Sequence, residues 1–270
     1  MSVAPGQTLS NQDLCQTFLC SPQGGMRRSL KTNSLVLISN HVESIYDDRW
    51  VGDVFHYTGM GQEGDQSLSF AQNRTLAESA SNGVSLHLFE VERPKEYIYQ
   101  GQVRLAGAPY TEMQPDQLRK LRRVYVFPLQ LVEGSQVAID SSQHAAAEVA
   151  RQKKAGKLAL DELRTLANAA SQQPGERQLR AKVFERSPYV AEYARKRAGG
   201  KCELCGAQAP FNDRNDQPYL ECHHIEWLSR GGRDATDNTV AVCPNCHRRL
   251  HVLDAEHDRA ALQELRAKVP

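Results

Sequence analysis

The chain has almost no net charge: 33 Lys and Arg against 32 Asp and Glu leave +1 over 270 residues. That balance argues against indiscriminate coating of nucleic acid and leaves room for local basic patches that bind at chosen sites. The sequence also lacks an apolar run approaching the roughly 18–20 residues that span a bilayer. Its first 30 residues lack the charged start and apolar core of a secretion signal. No internal repeat or low-complexity tail is visible. We therefore expect a cytoplasmic protein with no membrane partner. In a reducing compartment its seven cysteines are metal ligands or core residues rather than disulfides.

What is present falls into blocks. From 34 to 132, segments such as "SLVLIS", "DVFHYTG", "VSLHLFEV", "EYIYQGQVRL" and "RRVYVFPLQLV" are short and rich in Val, Leu, Tyr and Phe. Turn residues separate them. Five such strands predict a small barrel or a strongly curved sheet. "QNRTLAESASNG" (72–83) predicts one short helix ending at Asn82–Gly83. Residues 141–170 have a helical composition with a weak point at Gly156, and "SQQPGE" breaks it. "SPYVAEYARKRAGG" predicts a helix capped by Ser187, started by Pro188 and stopped at Gly199–Gly200. Basic patches at 119–123 and 195–197 suit a DNA binder or simply a solvated helix face. These blocks divide the α+β chain into residues 1–133, a helical linker at 134–185, and a module at 186–270.

Five cysteines crowd the last block. Cys202–Cys205 and Cys243–Cys246 form two Cys-x-x-Cys knuckles, the donor set of a closed tetrahedral zinc site that ties a small module together. Two unconnected reduced thiol motifs are the alternative. Between the knuckles, strand, loop, strand and helix can bring His223, His224, Asn238 and His247 together; His251 shares a helix face with His247. Phosphodiester hydrolysis with one metal needs a base for water, a cation on the phosphate, and a group that orients the base. A zinc module that only binds DNA is the alternative, and it leaves this histidine set unexplained.

Residues 187–252, with both knuckles, "HHIEWLSRGG", "DN" and "CPNCHRRLH", resemble the HNH family of zinc-stapled ββα-metal nucleases. The resemblance implies that His223 and His247 ligate a catalytic metal, with His251 a further ligand. His224 would be the general base and Asn238 would brace its loop. The family often has aspartate where this chain has His223, and imidazole ligands shift preference from Mg2+ toward Mn2+, Co2+, Ni2+ or Zn2+. The implied cofactors are structural Zn2+ and a divalent catalytic metal, Mg2+, Mn2+, Co2+ or Ni2+.

In the first block, "IYDDRWVGDVFHYTGMGQEGDQ" (45–66) mixes aromatics with carboxylates before a glycine-rich loop. Acids suit a pocket for a flipped base, where a carboxylate accepts from cytosine N4 and aromatics stack on the ring; the alternative is that the aromatics are barrel core and the acids lie in a solvated loop. "YDD", "VFHYTGMG", "QNRTL" and the strands through "VFPL" resemble the SRA domain, a PUA-like barrel that reads modified cytosine. The resemblance implies that Asp48 bonds the base edge, Tyr57 stacks on it, Thr58 anchors the pocket backbone and Arg74 faces DNA. Tyr46 stands one residue out of register with the opposing aromatic, and Trp50 is the other candidate for that place. Arg27 and Arg28, in "SPQGGMRRS", are placed to reach a groove, or the arm simply packs on the barrel.

Together the resemblances imply a modification-dependent restriction endonuclease acting on double-stranded DNA that carries 5-methylcytosine or 5-hydroxymethylcytosine. A homodimer is the economical way to cut both strands. The alternatives are a non-catalytic reader, and an HNH nuclease acting on unmodified or phosphorothioate DNA.

Overall fold

The computed structural model describes residues 3–42, 44–172 and 174–267. The chain divides into two units, Met1–Ala181 and Lys182–Pro270.

The first unit opens with β1 (Thr8–Leu9), α1 (Asn11–Phe18), β2 (Met26–Ser29) and β3 (Ser34–Asn40). It continues through β4 (Arg49–Val51), β5 (Val54–Thr58), α2 (Ala71–Ala77), β6 (Ser85–Arg93) and β7 (Glu96–Leu105). β8 (Tyr110–Pro115) and β9 (Leu121–Leu131) complete a nine-stranded sheet in the order β2-β3-β6-β7-β9-β5-β4, with β1 on β7 and β8 on β9. Most neighbours are antiparallel; β3 and β6 run parallel, in register from Ser34–Ser85 to Asn40–Val91. All five strands expected from the sequence are present.

The sheet curls because its inward side chains share one core. Met26, Leu35 and Leu37 from one end pack in the same cluster as Trp50, Phe55 and Tyr57 from the other. The Tyr57 hydroxyl joins the two ends, donating to Gly25 O at 2.8 Å. Gly59 ends β5 where only hydrogen fits: a Cβ would come within 2.9 Å of Asn73 Oδ1 and 3.0 Å of Gln66 Oε1. Those two side chains fold the glycine-rich loop. Asn73 accepts from Met60 N–H and donates to the carbonyls of Met60 and Ser67, and Gln66 receives the Tyr125 N–H. α2 stops at Ala77, short of the expected Asn82–Gly83 end, and the chain continues in turns to Asn82, whose amide donates to Thr75 O.

The remainder of this unit is β10 (Ile139–Asp140), α3 (Ser141–Ala155), α4 (Leu160–Ala169) and β11 (Leu179–Arg180), which pairs parallel with β10. The helical stretch breaks after Ala155, at the expected weak point, and the Asp140 side chain caps α3 through Ser142 and Gln143 N–H.

The second unit starts with α5 (Pro188–Ala198), capped at its end by Gly199 at φ 58. β12 (Glu221–His224) and β13 (Thr239–Val242) pair antiparallel, His223 opposite Val240 and His224 opposite Thr239. α6 (Pro244–Leu253) begins at Pro244, and α7 (Glu256–Ala267) follows. The core is small, built on Ala194, Leu220, Val240, Val242, Leu250 and Leu262 together with three of the knuckle cysteines. Arg197 clamps Glu203 at 2.9 Å through two nitrogens and donates to Thr239 O, while Glu203 receives Ala241 N–H. α5, the first knuckle and β13 are thereby locked together. No helix among the described residues is long and apolar enough to cross a membrane.

Candidate metal centres and base pocket

Cys202, Cys205, Cys243 and Cys246 bring their sulfurs within 4.8 Å of one another. A tetrahedral Zn–S distance of about 2.3 Å requires sulfurs roughly 3.8 Å apart, so the four thiols fit zinc. Burial opposes ionisation of Cys202, yet N–H groups of Cys205, Cys243 and Leu204 bring its thiol down to about 7. The Cys246 thiol, buried against its sulfur neighbours, is pushed up. Thiolates this close repel one another, and a dication removes that conflict.

Beside it, His223 from β12 meets His247 and His251 from α6. Ring centroids lie 5.3 Å (His223–His247), 4.9 Å (His223–His251) and 4.6 Å (His247–His251) apart. The Nδ1–H of His247 is taken by the Glu221 carboxylate, leaving Nε2 to face His251 Nε2 at 3.1 Å. Two ring nitrogens so placed need a shared proton or a shared cation. Burial, then the neighbouring His251 and His247, pushes His223 down to about 3, so its imidazole is neutral and ready as a ligand. The three imidazoles fit a divalent metal.

His224, the next residue along β12, has a different partner. Its Nε2 lies 2.8 Å from Asp234 Oδ1. Asp234 is held below the usual carboxylate range by the Ser187 N–H, which bonds Oδ2 at 2.6 Å, and by His224 itself. An ionised carboxylate only accepts, so His224 donates from Nε2 and keeps its lone pair on Nδ1. Asn238 folds the intervening loop: its amide donates to the carbonyls of Glu226 and Arg233, and its Oδ1 accepts Glu226 N–H. Ser187 stands at the N-cap of α5 without a side-chain capping bond, and its backbone N–H serves Asp234. A cleft of about 1210 Å3 opens over His224, Asp234, His247 and His251, with Arg186, Arg195 and Arg248 along its walls. Asp234 and Glu221, which orient His224 and His247, carried no sequence signal of their own.

In the first unit, Tyr46, Asp48 and Trp50 reach one cavity of about 650 Å3. Burial pushes the Asp48 carboxyl up to about 6, against hydrogen bonds from Thr58 N–H (2.7 Å) and the Ser39 hydroxyl. Tyr46 is half-buried, its hydroxyl donating to Gly61 O at 2.8 Å and its ring under the Arg122 guanidinium. Trp50 is only 1% exposed and packs on Phe55, with its indole N–H donating to Glu90. Tyr57 and Thr58 lie outside that cavity's lining; both are buried, Tyr57 between Gly25 and Phe55, Thr58 against Gln114. Of the arginines expected on DNA, Arg74 is exposed on α2. Arg27 is buried, donating to Gly24 O and Asn11, while Arg28 donates to Asn33 and Ser34 O. In this conformation Arg27 packs the arm on the sheet.

The curved sheet with its acidic cavity and the ββα unit with its thiol and imidazole clusters define a protein of SRA–HNH architecture. The family profile described as "ScoMcrA-like, SRA domain" matches residues 5–153, more than half of the chain, and the profile described as "HNH endonuclease" matches residues 202–252. The chain belongs to the ScoMcrA-like SRA-domain family and carries an HNH endonuclease domain. Over 81 residues it is 49% identical to the type IV methyl-directed restriction enzyme EcoKMcrA of Escherichia coli (strain K12), a match covering 30% of this chain and 29% of that one. The type IV phosphorothioation-dependent restriction endonuclease ScoMcrA aligns at 17% identity and TM-score 0.42, over 99% of this chain and 64% of that one. The modification-dependent TagI restriction endonuclease aligns at 21% identity and TM-score 0.38, over 92% and 78%.

Proposed function

We propose that this protein is a modification-dependent DNA endonuclease whose first unit flips and reads a modified cytosine and whose second unit hydrolyses phosphodiester bonds, in restriction of foreign DNA. The observation that carries this reading is the triangle of His223, His247 and His251 beside a fourth histidine, His224, held by a carboxylate. Residues 1–133 would form the reader, 134–185 the linker and 186–270 the nuclease, acting in the cytoplasm as a homodimer on double-stranded DNA.

The three imidazoles would hold Mg2+, Mn2+, Co2+ or Ni2+. Such an ion, when bound, neutralises charge on the scissile phosphate and the leaving oxygen. Every other part belongs to the chain. His224 Nδ1, whose lone pair is fixed by the Asp234 bond at Nε2, takes the proton from the attacking water. Asp234 then stabilises the resulting imidazolium. Asn238 keeps the loop that carries Asp234 in place. Zn2+ on the four cysteines would hold β12 and α6 at the spacing the site requires. In the reader, Asp48 would bond the base edge, with Tyr46 or Trp50 supplying stacking surface, while Tyr57 braces the sheet behind the cavity and Thr58 anchors the Asp48 carboxylate through its N–H. Arg74, with Arg28 from the arm, would meet phosphate, while Arg27 holds the arm on the sheet.

Replacing Asp234 by alanine leaves the His224 tautomer unfixed. We expect the single-turnover cleavage rate to fall roughly 10–100-fold, with affinity for modified duplex within about twofold of wild type. A rate change below about threefold would remove Asp234 from the mechanism.

The whole reading is tested by a digestion panel: matched plasmids carrying cytosine, 5-methylcytosine, 5-hydroxymethylcytosine or phosphorothioate linkages, each with Mg2+, Mn2+, Co2+ and Ni2+. The methyl-directed description of the Escherichia coli relative supports the methylated plasmid as the first substrate. Cutting confined to modified-cytosine DNA is the expected result. Equal cutting of all four sinks the reader, and binding without cutting in any metal sinks the nuclease.

A further inference from the structure

One wall of the Asp48 cavity comes from the segment that follows α4. Pro174, Gly175, Glu176 and Arg177 line it opposite Tyr46 and Asp48. The segment is seated by specific contacts. Glu176 N–H donates to Trp50 O at 2.8 Å. Gly175 lies so close to β4 that a Cβ there would come within 3.0 Å of Arg49 Cβ.

Arg177 then reaches onto β6. Its Nη1 stands 2.6 Å from Glu90 Oε1 and its Nη2 3.1 Å from Glu92 Oε1, and it also touches His41. The Glu90 side chain is fully buried and Arg177 is 13% exposed. Burial would raise the Glu90 carboxyl, but Arg177 and His41 hold it down at about 2. The contacts continue into the pocket. Glu90 Oε2 accepts the Trp50 indole N–H at 3.2 Å. His41 Nε2 lies 2.8 Å from Glu90 Oε1 and 3.3 Å from the Ser39 hydroxyl, and Ser39 bonds Asp48. A continuous polar chain thus joins one guanidinium of the linker to two residues proposed to meet the base.

A buried carboxylate stripped of its counter-charge must take up a proton or water, and its neighbours move with it. We propose that Arg177 is a positioning residue of the modified-base pocket: through Glu90 it fixes Trp50, and through His41 and Ser39 it fixes Asp48. The shape of the pocket accordingly depends on residues 174–177 being docked against the sheet. This inference rests on the reading of the first unit as a base reader.

The test uses the full chain with no divalent metal added, so that no strand is cut. Anisotropy measures affinity for matched duplexes with cytosine, 5-methylcytosine or 5-hydroxymethylcytosine, and 2-aminopurine beside the target base reports flipping. For Arg177→Ala we expect the ratio of modified to unmodified affinity to fall about tenfold, with loss of the flipping signal. Arg177→Lys keeps the charge but cannot span both carboxylates, and falls between the two. If wild type discriminates and both variants keep its ratio, the role of Arg177 is overturned. It is equally overturned if all affinities fall together with the melting temperature, the mark of a merely structural residue. If wild type shows no discrimination, base reading itself fails and the inference falls with it.

Discussion

Substituting His224 with alanine is expected to abolish strand cleavage while leaving modified-DNA binding intact. His224 sits at the end of β12 with Asp234 on Nε2, and no other imidazole in the cleft has a free nitrogen so fixed by a carboxylate away from the His223, His247 and His251 triangle. General base catalysis contributes about 100- to 10,000-fold, so single-turnover cleavage should fall by that order. The three metal-holding imidazoles are untouched by the change, so divalent-metal binding measured by calorimetry should persist. Binding is read by anisotropy on the same preparation. A variant that still cuts within tenfold of wild type would show that another group takes the proton.

Loss of the thiol cluster should have the largest effect on stability. The second unit has few large apolar side chains, and three knuckle cysteines are part of its core. Structural zinc contributes on the order of 10–16 kcal/mol in comparable small modules, more than such a core supplies alone. We expect one zinc per chain by elemental analysis. A Cys202→Ser, Cys243→Ser double variant should lose the melting transition of the second unit. The first unit, with core clusters of its own around Leu37 and Phe89, should keep its transition. Zinc-free protein with both transitions unchanged would refute a structural role for the cluster.

Some of this was readable before folding and some was not, and particular residues show why. The five long strands announce themselves by runs of Val, Leu and aromatics, and all five formed. β4 and β8 were missed: "RWV" is too short to show alternation, and "YTEMQP" interleaves polar and charged residues on a strand whose faces are mostly half-exposed. Asn73 looked like an ordinary helix residue; its role as the clasp of the 59–67 loop exists only because α2 packs beneath that loop. The SRA resemblance implies that Tyr57 stacks on a flipped base, whereas in the fold the residue is buried and its hydroxyl joins the two ends of the sheet.

The thiol and imidazole clusters were legible because metal ligands impose short, rigid spacings: two residues between the cysteines of a knuckle, one turn between His247 and His251. Composition shifts and knuckle spacing therefore carried the block division and the thiol set, while the resemblance to HNH nucleases supplied the imidazole set. The partners of those donors were out of reach. Asp234 meets His224 across a loop whose path Asn238 dictates, Glu221 meets His247 across the fold, and Arg177 meets Glu90 from a segment 87 positions away. A metal ligand is chosen by its own chemistry, which the residue type states. A hydrogen-bonding or ion-pairing partner is chosen by where the backbone delivers it, and only the folded chain fixes that place.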